Sequence, residues 1–577
     1  MKKILIYISI LLTSATFNGC YDLNTYPGDK VNENLFYKTE EHAKQGLMGI
    51  YGMLRDNHAY GYQFLFDHLA DIAYGYDYYM MYLGTYSDRS AEIQSKWQTM
   101  YDGIQRANSY LRVIPTMDVL TEEQKNEYMA EARFLRGMFY FTLLDLYGGV
   151  PYYDETTNLN VEYVGLKKPR SSAEEIRAHI ISDLNEAVVY LPVRHNDSDY
   201  GRATKGAAYA LRGKVYLYNK EWQNAIADFE EIVNNKSNNY GYGLDADYAH
   251  IFKLYNGDKS SEMIFSVQNK SGVGTEYGMA MQALMGTRSA FGSCWNNTVP
   301  STQLADMYEL KDGRPFSWND VFPGYNEATP DQRKELLSVE MDASGAVIGL
   351  RDVDTAQILN VYKSRDPRMM ATLIVPYSIY KGCIGKTTPR DMLFAMDHNV
   401  QGNENQGTIR NNKGWISYLY RKFVVEYDLG GAISDRLHTP FEFPLIRYAD
   451  VLLMLAEAYN ENNQLDKAVA EFNKVRARVD MPGLNSGPAW MLVTSKEQMA
   501  ERIRKERAVE FAGEGLRFSD LRRWGWEIAS KAMSEVDAIN IYGEFIYTHK
   551  FSERDMLWPI PGVEIERNEA LKQNPGW

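Results

Sequence analysis

Gly213-Lys214-Val215-Tyr216-Leu217-Tyr218-Asn219-Lys220-Glu221-Trp222-Gln223-Asn224-Ala225-Ile226-Ala227-Asp228-Phe229 is the stretch on which the fold turns, because its pattern returns far downstream. Gly213, Tyr216, Ala225 and Phe229 stand at intervals of three, nine and four, and Ala456, Tyr459, Ala468 and Phe472 stand at the same intervals. In a tetratricopeptide repeat the small residues let the two helices of a hairpin approach closely, while the aromatic rings fill the space between them. Glu221-Trp222 and Gln464-Leu465-Asp466 fall where the interhelical turns belong. Two full copies predict a mainly α chain on a tetratricopeptide-like helical-repeat scaffold.

Working outward, apolar residues recur at three and four over residues 40–54, 93–114, 121–147 and 172–191, which predicts helices there. Gly148-Gly149-Val150-Pro151 and Leu191-Pro192 are stop signals, since Pro cannot continue the hydrogen-bond ladder and Gly tolerates positive φ. A helical, repeat-bearing part thus spans about 40–233, and a second about 444–577. Between them, about 234–443 has no sustained helical period and is rich in Gly, Asn, Asp and short aromatic runs. Irregular segments mounted on a rigid frame are where binding residues usually sit, so this loop-rich middle is the expected ligand-binding region.

The first residues set the compartment. Lys2 and Lys3 precede an apolar run from Ile4 to Ala15, then Phe17-Asn18-Gly19-Cys20, which reads as an export signal over residues 1–19. The run is shorter than the roughly 20 residues that span a bilayer. Cys20 after Gly19 resembles the lipidation site of bacterial lipoproteins, although Phe17 and Asn18 depart from the usual residues, so plain secretion stands as the alternative. Several acyl chains on Cys20 would anchor the chain durably, where a single chain holds only marginally.

Composition narrows the ligand. A formal charge of −14, with Lys and Arg scattered along the chain, argues against nucleic acid, which requires a concentrated basic face. Tyrosine is abundant, 43 of 577 residues. Its apolar ring, polar tip and few rotatable bonds suit a surface that stacks and hydrogen-bonds at little entropic cost, although tyrosines also line helix contacts.

The segment Glu506-Arg507-Ala508-Val509-Glu510-Phe511-Ala512-Gly513-Glu514-Gly515-Leu516-Arg517-Phe518-Ser519-Asp520-Leu521-Arg522-Arg523-Trp524-Gly525 resembles the most recognisable stretch of the SusD/RagB family. Glu131-Ala132-Arg133-Phe134-Leu135-Arg136, Tyr147-Gly148-Gly149-Val150-Pro151, Asp366-Pro367-Arg368, Pro444 to Asp450 and Trp558-Pro559-Ile560-Pro561 agree with it in order, so the likeness covers essentially all of 20–577. The resemblance implies one mostly helical domain without catalysis or obligatory cofactor. It would hold oligosaccharide or polysaccharide at the outer membrane, facing the cell exterior, and deliver it to a SusC-like TonB-dependent transporter. Acidic and basic residues of the C-terminal stretch, Glu506, Glu510, Glu514 and Asp520 among Arg504, Arg507, Arg517 and Arg522, are expected to form structural ion pairs.

Ligand candidates come from two places. Residues 60–86 hold ten aromatics, and Tyr74-Gly75-Tyr76-Asp77-Tyr78-Tyr79 alternates rings with flexible and acidic residues, as a sugar platform needs. Asp71, Asp77 and Arg89 are candidates for the sugar hydroxyls. The second place is Cys294-Trp295-Asn296-Asn297, with Trp318 and Asn319 further on, the part of the chain from which family members complete an aromatic arc. Tyr76, Tyr78 and Trp295 are expected to share one stacking surface.

Two rivals stay open. A secreted glycoside hydrolase also combines aromatic platforms with carboxylate pairs, but with 76 acidic residues such pairs identify nothing, and neither a Gly-x-Ser-x-Gly nor a His-Glu-x-x-His motif occurs. A protein-interaction scaffold would use the repeat groove alone. Asp197-Ser198-Asp199-Tyr200-Gly201 offers oxygens for Ca²⁺ without the full loop spacing. Cys294 and Cys383 are too few for a disulfide framework and are expected to be free thiols.

Overall fold

The computed structural model describes residues 36–157, 166–271, 277–350, 354–410 and 416–577. The export signal and Cys20 lie outside the described residues. Among the described residues the frame is built from nine long helices: α1 (Glu40–Tyr51), α2 (Ala91–Val113), α3 (Glu122–Tyr147), α4 (Ala173–Tyr190), α5 (Lys205–Tyr218), α6 (Trp222–Val233), α7 (Tyr448–Glu461), α8 (Leu465–Ala477) and α9 (Lys496–Glu510). Each packs on its neighbour from α2 through α8, and α9 closes against α7. Local chemistry sets the ends. Thr121 and Ser172 make reciprocal capping boxes with Gln124 and Glu175, and α3 stops at Gly148 with φ 75°.

The two repeats coincide bond for bond. Glu221 N donates to Tyr216 O at 2.9 Å and Gln464 N to Tyr459 O at 2.8 Å, then Ala225 N and Ala468 N each begin a helix on the residue four before, at 3.0 Å. Lys220 and Asn463 turn the chain with φ of 62° and 58°. The turns therefore fall a residue or two earlier than the sequence predicts, because a left-handed residue after the first helix lets Glu221 and Gln464 already cap the second. A β-carbon on Gly213 would stand 2.6 Å from the Phe229 ring, so only glycine admits that buried ring. Tyr459 donates to Glu230, joining one repeat to the other.

Among the described residues, strands occur only as antiparallel pairs between helices. They include β1 (Ala73–Gly75), β2 (Met263–Val267), β3 (Thr298–Pro300), β4 (Ile379–Ile384), β5 (Thr388–Leu393), β6 (Phe443–Arg447), β7 (Val536–Ile539) and β8 (Phe545–His549). The irregular middle is held to the frame by β6 pairing with β2 and by a buried ionic network at the end of α9. Arg447 bonds Glu262 at 2.7 Å, Glu510 at 2.7 Å and Glu514 at 2.8 Å, while Arg368 and Arg478 reach Glu510 at 2.8 and 2.5 Å. Burial alone would raise the Glu510 carboxyl, but Arg478, Arg447 and Arg368 hold it well below the usual carboxylate range. These ion pairs run between elements and are desolvated; they are not i,i+4 pairs along one exposed helix.

Candidate functional site

The aromatic run and the Trp295 loop, more than 200 positions apart in the chain, meet at β1 and β3. Tyr74 lies opposite Val299 and Gly75 opposite Thr298, and the Tyr76 amide extends the pairing by donating to Asn297 O at 3.1 Å. Gly75 is required here: a β-carbon would stand 2.0 Å from Asn297 O and 2.5 Å from the His68 ring. The loop 295–297 is moored by three backbone bonds, from Trp295, Asn296 and Asn297 to Ala283, Gly286 and Leu284, at 2.8–2.9 Å. Arg436 lies 5.0 Å over the Trp295 ring and is itself fixed by the Gly292 and Ser293 carbonyls, so the half-buried indole is held by one face.

Within the aromatic run the rings divide. Tyr76 is 47% exposed and Tyr79 53%, and both present ring surface to solvent. Tyr74, at 1%, points inward toward Tyr547 of β8. Tyr78, at 8%, adopts φ 57° and turns its ring edge-on to Phe66, 5.6 Å away, so it does not share the outer surface with Tyr76 and Trp295. Tyr82 supports the loop from beneath, donating to Gly75 O at 2.6 Å and packing on Tyr547 at 4.5 Å.

The other sequence candidates are placed as follows. Asp71 is engaged bidentately by Arg517, at 2.8 and 2.9 Å, and its carboxylate is committed to that pair. Arg89 is exposed and pairs with Glu566. Trp318 is buried among Phe316, Phe322, Tyr325 and Tyr362, stacked 5.1 Å from Tyr325, where no face is open to a ligand. Asn296 is 1% exposed in a left-handed conformation that asparagine tolerates, φ 54°. Cys294 and Cys383 are free, buried thiols, pushed up to about 12 and about 11 by burial. Asp197 pairs with Lys259 and Asp199 with Arg202, and among the described residues no three metal-ligating side chains gather.

Of the polar residues behind these rings, sequence reasoning named Asp77 and Asn296 and missed His68 and Thr298. His68 Nε2, Asp77 Oδ2, Thr298 Oγ1 and both polar atoms of the Asn296 side chain are buried without a hydrogen-bond partner among the described residues, all at this one corner. Each buried polar group left without a partner costs about 1–3 kcal/mol, which makes the corner a costly piece of core. His68 bonds the Asp77 carbonyl through Nδ1 at 3.1 Å, and burial pushes its imidazole down to about 4, so it is neutral at ordinary pH. Burial also raises the Asp77 carboxyl. Nothing in the spacing of His68, Thr298 or Arg436 marks them, because β pairing and the Arg436 loop assemble them from three distant segments. The exposed rings of Tyr76 and Tyr79 and the half-buried Trp295 can stack on the C–H face of a sugar, while the buried polar atoms behind them belong to the interior.

Comparison with known proteins agrees with this architecture. Residues 261–577 match the model of the SusD family, and residues 23–217 match a family described as starch-binding associating with outer membrane. SusD-like protein P25 of Formosa agariphila is 24% identical, over 100% of this chain and 98% of its own length. The starch-binding protein SusD of Bacteroides thetaiotaomicron is 25% identical, over 79% of this chain and 74% of its own. The crystal structure of a SusD-like protein from Bacteroides fragilis superposes with a TM-score of 0.73 at 25% identity, over 96% of this chain and 100% of that one. With a family match across more than half its length, on a helical-repeat frame that its sequence repeats already require, the chain belongs to the SusD family.

Proposed function

We propose that this chain captures oligosaccharide or polysaccharide at the outer face of the outer membrane, holds it uncleaved, and delivers it to a SusC-like TonB-dependent transporter. Residues 20–577 act as one unit in this reading, anchored through lipid on Cys20. The observation that carries it is the β1–β3 pairing that brings the loop of exposed Tyr76 and Tyr79 against the loop of half-buried Trp295, so that aromatic surface from two distant segments gathers at one corner. Capture without cleavage is supported by the fate of the carboxylates of the C-terminal motif: Glu510, Glu514 and Asp520 are consumed by buried arginines, so none of these three stands free to act as acid or base. The starch-binding name of the Bacteroides thetaiotaomicron relative points the same way. Isothermal titration against plant, microbial and host polysaccharides, with a reducing-sugar assay on the same mixtures, tests the reading. Binding of one class without sugar release is expected. Release of reducing ends would move the chain to the hydrolases, and silence across the panel would remove saccharide capture.

A further inference from the structure

A second cleft, of about 300 Å³, opens on the helical side, between the loop after α4, the start of α5 and β2. It shares no residue with the Tyr76–Trp295 corner. Tyr200, Tyr240 and Tyr242 line it, with Ser260 and Ser261 at its edge. Its volume lies at the lower end of the range for ligand pockets, suited to a small sugar unit.

The charges of this cleft run against those of the whole chain. Arg194, Arg202 and Lys259 line it against one carboxylate, Asp197, in a protein whose formal charge is −14. Arg202 is committed inward, to Glu131 and Asp199. Arg194 is exposed, reaches only the Asn239 carbonyl at 3.3 Å, and has no carboxylate partner among the described residues. Lys259 lies 5.0 Å over the Tyr200 ring with its ammonium 2.5 Å from Asp197, whose side chain is 97% exposed. So exposed a pair is weak and screened by solvent, and a ligand anion can take the place of Asp197 at little cost. A guanidinium fork and an ammonium in one cleft select an oxyanion, since Arg matches carboxylate and sulfate oxygens, and the partly exposed Tyr242 offers ring surface beside them for the C–H face of a sugar that carries it.

We propose that this cleft is a second saccharide site, taking a sugar unit that bears an anionic group, a carboxylate or a sulfate ester, against Arg194 and Lys259. The proposal rests on the saccharide reading of the chain only in assigning the anion to a sugar. Titration calorimetry on the full chain with trigalacturonate, with a sulfated galactan tetrasaccharide, with its desulfated counterpart and with inorganic sulfate tests it. One of the two anionic saccharides is expected to bind, more weakly as salt rises, and which one binds identifies the group. Replacing both Arg194→Ala and Lys259→Ala is expected to weaken that binding by at least about tenfold, since both charge-assisted bonds to the anion are lost. Both residues are on the surface, so the variant should fold, and an unchanged urea midpoint checks that it has. Tyr76→Ala with Trp295→Ala should leave this binding intact while weakening any neutral ligand. The proposal is overturned if neither anionic saccharide binds, if the Arg194/Lys259 variant binds as well as the parent, or if inorganic sulfate or the desulfated sugar binds equally. Loss of neutral-polysaccharide capture alone would sink the platform reading and leave the cleft standing.

Discussion

Tyr76 and Tyr78 stand two residues apart in the same aromatic run, yet their replacement by alanine should have opposite consequences. Tyr76 is 47% exposed and Tyr78 8%, with its ring against Phe66. Tyr76→Ala removes a ring that is about half exposed in the free protein, so it should cost about 1 kcal/mol or less in urea unfolding. If that ring stacks on sugar, affinity should fall by about 1–2 kcal/mol, about five- to thirtyfold in Kd. Tyr78→Ala deletes a buried ring and leaves a void, costing about 3 kcal/mol or more of stability, while affinity per folded molecule stays near the parent.

The backbone sharpens the test. Tyr78 holds φ 57°, a conformation that costs an L residue about 1–2 kcal/mol and glycine almost nothing. Tyr78→Gly loses the same ring as Tyr78→Ala but relieves that strain, so it should be the more stable of the two by about 1 kcal/mol. Equilibrium urea unfolding and calorimetry on all three variants against one bound polysaccharide provide the readout. The reasoning fails if Tyr76→Ala destabilises as much as Tyr78→Ala, or if well-folded Tyr78→Ala loses more affinity than Tyr76→Ala, since either result would exchange the two rings.

Three further outcomes follow from the packing and charge. Glu510→Ala leaves Arg368, Arg447 and Arg478 buried around a missing carboxylate and should cost about 3–5 kcal/mol in urea unfolding; a loss under 1 kcal/mol would mean the network carries no net stability. Gly213→Ala gains helix propensity but drives a methyl into the Phe229 ring, 2.6 Å away, and should lower stability by about 1–3 kcal/mol, whereas a gain would show that the hairpin can open. Lys96, buried and bonded to Ala59 O at 2.5 Å, is pushed down to about 7 by burial, against 10.5 when unfolded. Between those values the unfolded chain binds the extra proton, so Lys96 makes stability rise with pH from about 7 to 10.5, by up to about 1.4 kcal/mol per unit. Lys96→Met should flatten that rise, and parallel parent and variant curves would show that Lys96 is not the titrating group.

The repeat was legible because it rests on residue size at fixed intervals: Gly213 and Ala456 must be small where Phe229 and Phe472 must enter, and no distant contact alters that requirement. The site was legible only as a neighbourhood. Strict strand alternation would put Tyr74 and Tyr76 on one face, but β1 ends at Gly75, and the left-handed Tyr78 then reverses which rings face out. Trp318 reads like a sugar platform in sequence, yet Phe316, Phe322 and Tyr325 lie within seven residues of it and close a cluster of their own. His68 and Thr298 left no trace, since a buried polar atom without a partner is a property of assembled space and not of local pattern.

Asp71 explains why the stretch that identifies the family says so little about its ligand. The segment leading into the platform is clamped by the C-terminal motif at three points: Gly513 N donates to Asp67 at 2.7 Å, Gln63 donates to Gly515 O at 2.8 Å, and Arg517 grips Asp71 through two bonds. Ser301 continues the clamp across β3, its amide bonding Ile72 O at 3.0 Å and its hydroxyl Asp71 O at 2.7 Å. Every one of these contacts falls on residues 63–72, the root of the loop, and none on Tyr76 or Tyr79 at its tip. A side chain at the tip can be exchanged without disturbing a buried ion pair, whereas an exchange at Asp71 or Arg517 strands its partner's charge and one at Asp67 leaves the Gly513 amide without its acceptor. The division of labour is therefore physical: the motif holds a rigid root in place, and the tip, where we propose that ligand is bound, touches none of the motif's clamping contacts.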